Sequence, residues 1–507
     1  MEVGLFGKTL PSGHIIVNKF WKERFAYRAN REFGLDKYSK TDVRALPTAE
    51  ELRASLAATE NAEVRNQLSA LFDDSTFVET GVYTKRGFSD FLTTDKANEL
   101  EAVITGYGSI DGKLVFVFAE DATRMGGVMD DRHAKKIEDL YALALKNGAP
   151  VIGIFNSNGT DIFAGTSSLA AYARVMKCIT SASGRIPQIA YVAGKCLGTA
   201  AALAAMTDFV VKNAAAELYV TTPTITGVKD AQSDCVAFCA EEGQCLGFIR
   251  GLISFLPDND AVGASVGQCA DNLNRMLGDL DFAGEALSMI AAVADNGVYY
   301  EIGHDFAEEV STVFTTVGGV RCGMVATSYA KGEGRLSADG AKKIARFVNF
   351  CDNFSVPVVT LVDSLGLKQD AANEPAFASA LSDLAYAYAG CGSATVTVIV
   401  GHAIGAAFAL LGSKALGADI VFATDNSEIG TLPAQSGVAF AWDHYITQEK
   451  TREDLVREWR ENVSSPVAAA SSGEIDDIIG VSELRARICS SLLMLTTQTP
   501  YQKLLSL

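Results

Sequence analysis

The sequence is poor in the side chains that hydrolytic and metal-dependent enzymes most often use. Its 507 residues include five histidines, at 14, 133, 304, 402 and 444, and no two of them stand four apart. It has no H-E-x-x-H string, no C-x-x-C pair and no P-loop, so the usual signatures of zinc hydrolases, redox dithiols and phosphate-cradling loops are missing. No metal site is expected. Basic residues are scarce as well: 43 Lys and Arg against 61 Asp and Glu give a net charge of −18. That balance argues against a nucleic-acid partner, because phosphate contact needs a basic surface. Long apolar runs are also lacking. The most apolar stretch, Val396–Leu411, is interrupted by Thr397, Gly401, His402 and Gly405. A membrane span needs about 20 apolar residues, so this stretch reads as a buried strand, a glycine turn and a buried helix. The first residues, Met1–Lys8, carry no basic region followed by an apolar run, and no signal peptide is expected there.

Ten scattered cysteines in such a chain read as reduced thiols of a cytoplasmic protein. Cys235 and Cys239 are four apart within Val228–Leu256, a stretch expected to be helical, which would put both on one face. The single G-x-S-x-G string, Gly263–Gly267, follows the polar run Pro257–Asp260. It therefore lacks the strand a nucleophile elbow requires and reads as a loop. Hydrophobic residues make up 48% and charged residues 21%, ample for large cores, and the length allows two to four domains at roughly 150 residues each.

An internal repeat organises the chain. Gly148–Gly159 and Ser355–Gly366 are both apolar, β-branched runs after a proline that end in Ser-x-Gly, with Pro150 and Pro357 standing 207 apart. Ala134-Lys-Lys-Ile137 and Ala341-Lys-Lys-Ile344 keep the same offset, as do Gly112/Gly319, Gly194/Gly401, Gly198/Gly405 and Ala200/Ala407. After that the copies separate by four residues, Asp208 matching Asp419, which suggests a slightly longer helix in the second copy. Each copy reads as a glycine turn, a strand, an amphipathic helix, a buried strand ending in a Gly-bearing loop, and a further strand running into a Gly-Ala-rich helix. Strands alternating with helices predict an α/β layered fold with mainly parallel strands. A helical segment, including Thr48–Ala62, is expected ahead of the first copy, and a charged helix after Glu449.

Two backbone-rich turns recur in each copy: Ser157-Asn158-Gly159-Thr160 with Leu197-Gly198-Thr199-Ala200, and Ser364-Leu365-Gly366-Leu367 with Ile404-Gly405-Ala406-Ala407. Small residues let a ligand approach the peptide plane, and the free N–H groups of a helix start carry the positive dipole end. Two such turns converging form an oxyanion hole that needs no ionisable side chain. A hydratase or isomerase would need placed carboxylates there, and Asp161 is a lone candidate.

Set beside these turns, Asp73–Glu79, Val103–Gly112, Phe350–Phe354, Gly412–Lys414 and Pro466–Ile479 give the chain a resemblance to the carboxyltransferase subunits of biotin-dependent acyl-CoA carboxylases and decarboxylases, within the crotonase superfamily. The resemblance implies two tandem crotonase-like (ββα superhelix) domains, an acyl-CoA side over 1–250 and a biotin side over 251–507. It implies that Gly198 and Thr199 hold the thioester enolate oxygen, with Gly159 and Thr160 nearby. It likewise implies that Gly405, Ala406 and Ala407 hold the biotin ureido oxygen, with Gly366 and Leu367 nearby, and that Ala409 tunes acyl size. The base would come from the cofactor, which accounts for the missing His and carboxylate constellation.

The implied partners are a separate biotin carboxyl carrier, a biotin carboxylase subunit, an acyl-CoA substrate and further copies of the chain in a dimer-built hexamer. The alternatives are a decarboxylase α subunit with a membrane partner, or a non-catalytic scaffold paralogue. The scaffold alternative comes from departures in the loops. The family's Ser-Gly-Gly-Ala-Arg is Ser157-Asn158-Gly159-Thr160-Asp161 here, its Gly-Gly is Gly198-Thr199, its Pro-Gly-Phe-Leu-Pro-Gly is Leu365–Asp370, and its Gly-Gly-Ala is Gly405-Ala406-Ala407. The backbone N–H groups survive every one of these changes.

Overall fold

A β-hairpin opens each half, because its turn residues can take left-handed backbone: Asp111 and Gly112 have φ of +51° and +80°, Gly318 and Gly319 of +62° and +79°. This is a computed structural model, and it describes residues 48, 50–51, 62–85, 100–162, 164–227, 234–262, 266–269, 271–278 and 284–496. Residues 61–507 form one compact unit. Thr48 and Glu51 exchange side-chain-to-backbone bonds of 2.8 and 3.2 Å, a capping box at the start of the helix expected there. The rest of that expected helix, and the G-x-S of the string at 263–267, lie outside the described residues.

The first half contains β1 (Val78–Thr80), β2 (Val103–Ile110), β3 (Lys113–Glu120), β4 (Val151–Ser157), β5 (Gln188–Leu197), β6 (Phe209–Asn213), β7 (Glu217–Tyr219) and β8 (Val236–Ala240). The second contains β9 (Tyr299–Ile302), β10 (Val310–Val317), β11 (Val320–Thr327), β12 (Val358–Ser364), β13 (Thr395–Ile404), β14 (Ile420–Thr424), β15 (Glu428–Gly430) and β16 (Asp477–Ile479). The sheets run β1-β2-β3-β4-β5-β6-β8 and β9-β10-β11-β12-β13-β14-β16, with β7 on β5 and β15 on β13. Each sheet is antiparallel at its hairpin and parallel from β3 or β11 onward. The two halves therefore match strand for strand.

Two expectations need correction. Cys235 and Cys239 do not lie on a helix: Cys239 is in β8 and Cys235 just precedes it, while the helix of that region, Glu242–Phe255, starts only afterwards. The stretch Val236-Ala-Phe-Cys-Ala is too short for an amphipathic period to declare itself, and pairing with β6 decides it. Nor is the second copy's Gly-Ala helix the longer one. It is Ala406–Leu410 against Thr199–Ala205, and the four extra residues form the tight turn around Lys414–Leu416.

Helices α1 (Asp131–Asn147), α2 (Thr166–Ala182) and α3 (Thr199–Ala205), with their counterparts α4 (Ala338–Asn353), α5 (Glu374–Ala389) and α6 (Ala406–Leu410), follow the strands. Asp130 and Ser337, again 207 apart, cap α1 and α4 with side-chain acceptors. One face of the first sheet packs on α1 and α2 in a core of its own. Its other face shares a core with α4 and α5 of the second half, where Phe209 meets Phe314 and Phe350 at ring centroids of 5.8 and 4.6 Å.

A carboxylate and an arginine lock each hairpin. Asp73 accepts the amides of Asp111 and Gly112, both at 3.1 Å, and pairs with Arg250 at 2.9 Å. Arg250 also donates to the Leu71 carbonyl at 2.6 Å. Its guanidinium is the main cause that holds the Asp73 carboxyl well below its usual range. In the second half Asp295 accepts Gly318 and Gly319 at 2.9 and 2.8 Å, pairs with Arg485 at 2.6 Å, and Arg485 donates to Val293 O. Arg485 is fully buried. Removing one partner of such a pair costs about 3–5 kcal/mol. Asp295→Ala is therefore expected to lower the urea midpoint by the equivalent of about 3–5 kcal/mol, read by circular dichroism, while the more exposed Asp73→Ala lowers it less.

Candidate active site

The strand ends are prepared by a bulge that recurs in both halves. Between β4 and β5 the parallel register slips from Phe155↔Val192 to Ser157↔Cys196, and between β12 and β13 from Val362↔Ile399 to Ser364↔Ala403. The side chain at the slip fills it. Asn156 Oδ1 accepts the Lys195 amide at 3.2 Å, and Asp363 Oδ1 accepts the His402 amide at 2.9 Å. That explains the repeated glycines: a Cβ at Gly194 would stand 2.4 Å from Asn156 Oδ1, and one at Gly401 2.4 Å from Asp363 Oδ1.

Each slip delivers a pair of turns. Gly159 has φ +101° and Gly366 +106°. Their amides donate to Ser157 Oγ at 3.0 Å and Ser364 Oγ at 3.3 Å, and their carbonyls accept from Met129 and Leu336. Thr160 and Leu367 form single bridges to the same partners, Met129 and Leu336. The other turn of each pair lies against the first: a Cβ on Gly159 would meet Leu197 O at 3.2 Å, and one on Gly366 would meet Ile404 O at 3.3 Å.

Gly198 (φ +61°, ψ −127°) and Gly405 (φ +58°, ψ −130°) are the N-caps of α3 and α6 and make no side-chain cap bond. Side chains rarely take such angles, which are open to glycine. The amide of Gly198 is itself donated to Tyr219 O at 3.0 Å in β7, and that of Gly405 to Gly430 O at 2.8 Å in β15. Among the described residues the amides next in line, of Thr199 and Ala200 and of Ala406 and Ala407, have no acceptor, as the first turn of a helix requires. Ala407 is buried and Ala409 exposed. The structure thus brings together Gly159, Thr160, Gly198 and Thr199 in one half, and Gly366, Leu367, Gly405, Ala406 and Ala407 in the other. Asp161 is buried beside its turn, its amide on Ser168 Oγ at 3.1 Å.

Sequence reasoning missed what underlies the first turn. Glu120, at the end of β3, accepts the Asn156 amide at 2.9 Å. His133 lies between Glu101 and Glu120, 3.8 and 3.9 Å away, all three buried. Burial pushes the Glu120 carboxyl up to about 8, against the pull of the Asn156 amide. The corresponding positions of the second half are Thr327, which accepts the Asp363 amide at 2.7 Å, and Gly340. Only the 207 offset, read position by position, could have flagged that difference.

The tandem α/β halves thus gather helix-start amides at matching ends of their two sheets. The carboxyl transferase domain model matches residues 59–233 and 231–504. The methylmalonyl-CoA decarboxylase subunit alpha of Veillonella parvula is 33% identical over 462 residues, covering 86% of this chain and 90% of that protein. The propionyl-CoA carboxylase beta chain of Roseobacter denitrificans is 31% identical, covering 87% and 92%. Among solved structures, a transcarboxylase 12S hexamer with methylmalonyl-coenzyme A and methylmalonic acid bound superposes with a TM-score of 0.83 at 27% identity, over 90% of this chain and 98% of that one. The chain belongs to the carboxyl transferase family.

Because the folded state holds the Glu120 proton more tightly than the unfolded chain, the associated stability is full below the ordinary carboxyl range and is lost as pH rises through about 8. Glu120→Gln keeps an acceptor for the Asn156 amide and has no proton to lose. Its melting temperature relative to the parent is expected to climb between pH 5 and pH 9, by roughly 1 °C for each kcal/mol recovered in a unit of this size. A difference that stays flat across that range would contradict the assignment.

Proposed function

We propose that this chain is the carboxyltransferase subunit of a biotin-dependent acyl-CoA carboxylase, moving a carboxyl group between carboxybiotin and a short-chain acyl-CoA. The observation that carries the reading is the duplicated turn, with acceptor-free amides at Thr199 in one half and Ala406 in the other. Residues 1–250 would form the acyl-CoA side and 251–507 the biotin side. The amides of Thr199 and Ala200, backed by the α3 dipole, would bind the thioester oxygen as it becomes an enolate. Gly198 contributes its backbone turn, and Gly159 and Thr160 the neighbouring wall. In the other half Ala406 and Ala407, set by Gly405 and flanked by Gly366, Leu367 and Ala409, would bind the ureido oxygen.

The space over the caps leaves room for such a group: a Cβ at Gly198 would meet nothing within 4 Å, and one at Gly405 only Thr431 O at 3.4 Å, an ordinary contact. Biotin, when bound, supplies the carboxyl group and the basic nitrogen; the chain positions, and its amides carry the negative charge. Helix starts can also bind the anionic coenzyme A locally in an acidic protein. Large apolar side chains lie exposed, Ile162 and Ile225 in one half and Phe440 in the other, 79%, 77% and 86% accessible. They support burial against further copies in a dimer-built hexamer. A separate carrier and a biotin carboxylase subunit complete the system, in the cytoplasm. No described helix is long and apolar enough to cross a membrane.

The Veillonella relative, named for a decarboxylase, supports a second reading in which the same amides serve the reverse direction and a membrane partner joins the assembly. Carriage of a membrane protein through purification separates the two. In an exchange assay with methylmalonyl-CoA or malonyl-CoA and biocytin, the parent is expected to release label, and no turnover by an intact oligomer would favour a scaffold. Thr199→Pro and Ala406→Pro each delete one amide at the first helical position, where proline is tolerated. Each is expected to lower kcat about 10²–10³-fold with the melting temperature nearly unchanged.

A further inference from the structure

The edges of the two sheets meet beside a cavity. Strand β8 ends the first sheet and β9 the second, and the Gly303 amide, just after β9, donates to Ala237 O of β8 at 2.7 Å. The cavity next to this seam has a volume of about 660 Å³, within the range of small-molecule sites. Six half-buried aromatic residues line it: Tyr219, Phe238, Phe248, Tyr299, Tyr300 and Phe306. Their rings are set in advance. Phe238 and Phe248 stack with centroids 4.2 Å apart and planes 1° apart, and Tyr300 meets Phe248 edge-on at 6.4 Å. Tyr300 fits over Gly251, where a Cβ would stand 2.5 Å from its ring. Rings already locked in place lose little freedom when a ligand arrives.

The charge of the wall is mostly negative. Glu217, Glu301 and Asp305 stand on it against Lys212, which donates to Asn213 O at 3.3 Å, and His304 Nδ1 lies 2.8 Å from Glu301. The repeat gives Glu217 a counterpart. It lies opposite Lys195 in β7 as Glu428 lies opposite His402 in β15, and the two carboxylates are 211 apart like Asp208 and Asp419. Glu428 is buried, and Arg460 Nε donates to it at 3.1 Å. Glu217 is exposed and accepts the Tyr219 hydroxyl at 3.0 Å. Among the described residues it forms no ion pair, and Lys195 across the strands is no exception. The second half thus gives this carboxylate a cation from its own chain. The first half leaves the same carboxylate on the wall of an aromatic cavity.

We propose that this cavity binds a small organic ammonium ion, whose charge rests against Glu217, where the second half has Arg460, and whose carbon body lies against the aromatic wall. Ring faces attract such cations, and a cage of aromatic side chains with a carboxylate at hand suits them better than it suits a neutral or anionic molecule. The site communicates with the first glycine turn through β7. Tyr219 lines the cavity, and its carbonyl accepts the Gly198 amide at 3.0 Å. Strand β7 is three residues long and pairs with β5 alone, so a ligand seated against it steadies that tie. The proposal goes beyond the carboxyltransferase reading and does not depend on it.

Two measurements on the full-length chain test this, and neither needs turnover. In the first, titration calorimetry compares benzyltrimethylammonium with benzyl alcohol, a neutral molecule with the same ring. The cation is expected to bind one to one and at least about tenfold more tightly than the alcohol. Glu217→Gln, which keeps an acceptor for the Tyr219 hydroxyl, is expected to weaken the cation about tenfold, and Phe238→Leu to weaken it as well. Glu217→Lys, a change at an exposed position, is expected to abolish binding with the melting temperature nearly unchanged. No saturable heat with the parent overturns the site. Equal affinity for the alcohol overturns the ligand class, and an unmoved Kd in Glu217→Gln overturns the role of that carboxylate. In the second, backbone hydrogen exchange is followed by mass spectrometry. Saturating benzyltrimethylammonium is expected to slow exchange several-fold in a peptide that contains Gly198, and exchange that stays the same overturns the link through β7. A chain that turns over no carboxyacyl-CoA would sink the carboxyltransferase reading and leave both of these results standing.

Discussion

Among the described residues the amides of Thr199 and Ala406 have no acceptor, as the first turn of a helix requires, and what precedes them sets where they point. Each follows a glycine at φ near +60° and ψ near −130°, and that glycine's own N–H is tied to a short strand, β7 or β15. The tie fixes the direction in which the helix starts. A side chain at the capping position would rarely accept those angles, and without β7 or β15 the cap itself would need an acceptor from elsewhere. The bulge filled by Asn156 or Asp363 lies in the strand that runs into that glycine.

Much of the fold could be read from the offset of 207, because between the hairpin and the glycine turn the halves have neither gained nor lost a residue. The offset breaks outside that stretch. Asp73 and Asp295 are 222 apart, and Arg250 and Arg485 are 235 apart, so the hairpin lock, though the same in both halves, left no register to find. Strand β8 was hidden for another reason: five residues flanked by a long helix take their state from the edge of β6 rather than from their own period. At the site, glycines announced the turns because left-handed backbone selects them. Which amide would stay unpaired was not legible, since that depends on Tyr219 and Gly430 arriving from later strands.

The halves differ most in charge. Position 120/327 is Glu or Thr, 133/340 is His or Gly, 156/363 is Asn or Asp, and 195/402 is Lys or His. The hydrogen-bond pattern through these positions is nevertheless kept: residue 120 or 327 accepts the amide of 156 or 363, which in turn accepts the amide of 195 or 402. Backbone donors are thus satisfied alike by carboxylate, amide or hydroxyl oxygen, so the scaffold constrains only that an acceptor be present. The identity of that acceptor is then free to set local charge.

That freedom has a physical consequence for two sites that share one architecture. In the first half the Glu120 carboxyl, raised by burial, lies beneath the turn beside His133, where dielectric screening is weak and a change of its protonation is felt by the Asn156 peptide. In the second half the matching positions are Thr327 and Gly340, and the ionisable pair is His402 with Asp363, its imidazole partly exposed. Two halves of one backbone can in this way differ in charge with hardly a change in their hydrogen bonds.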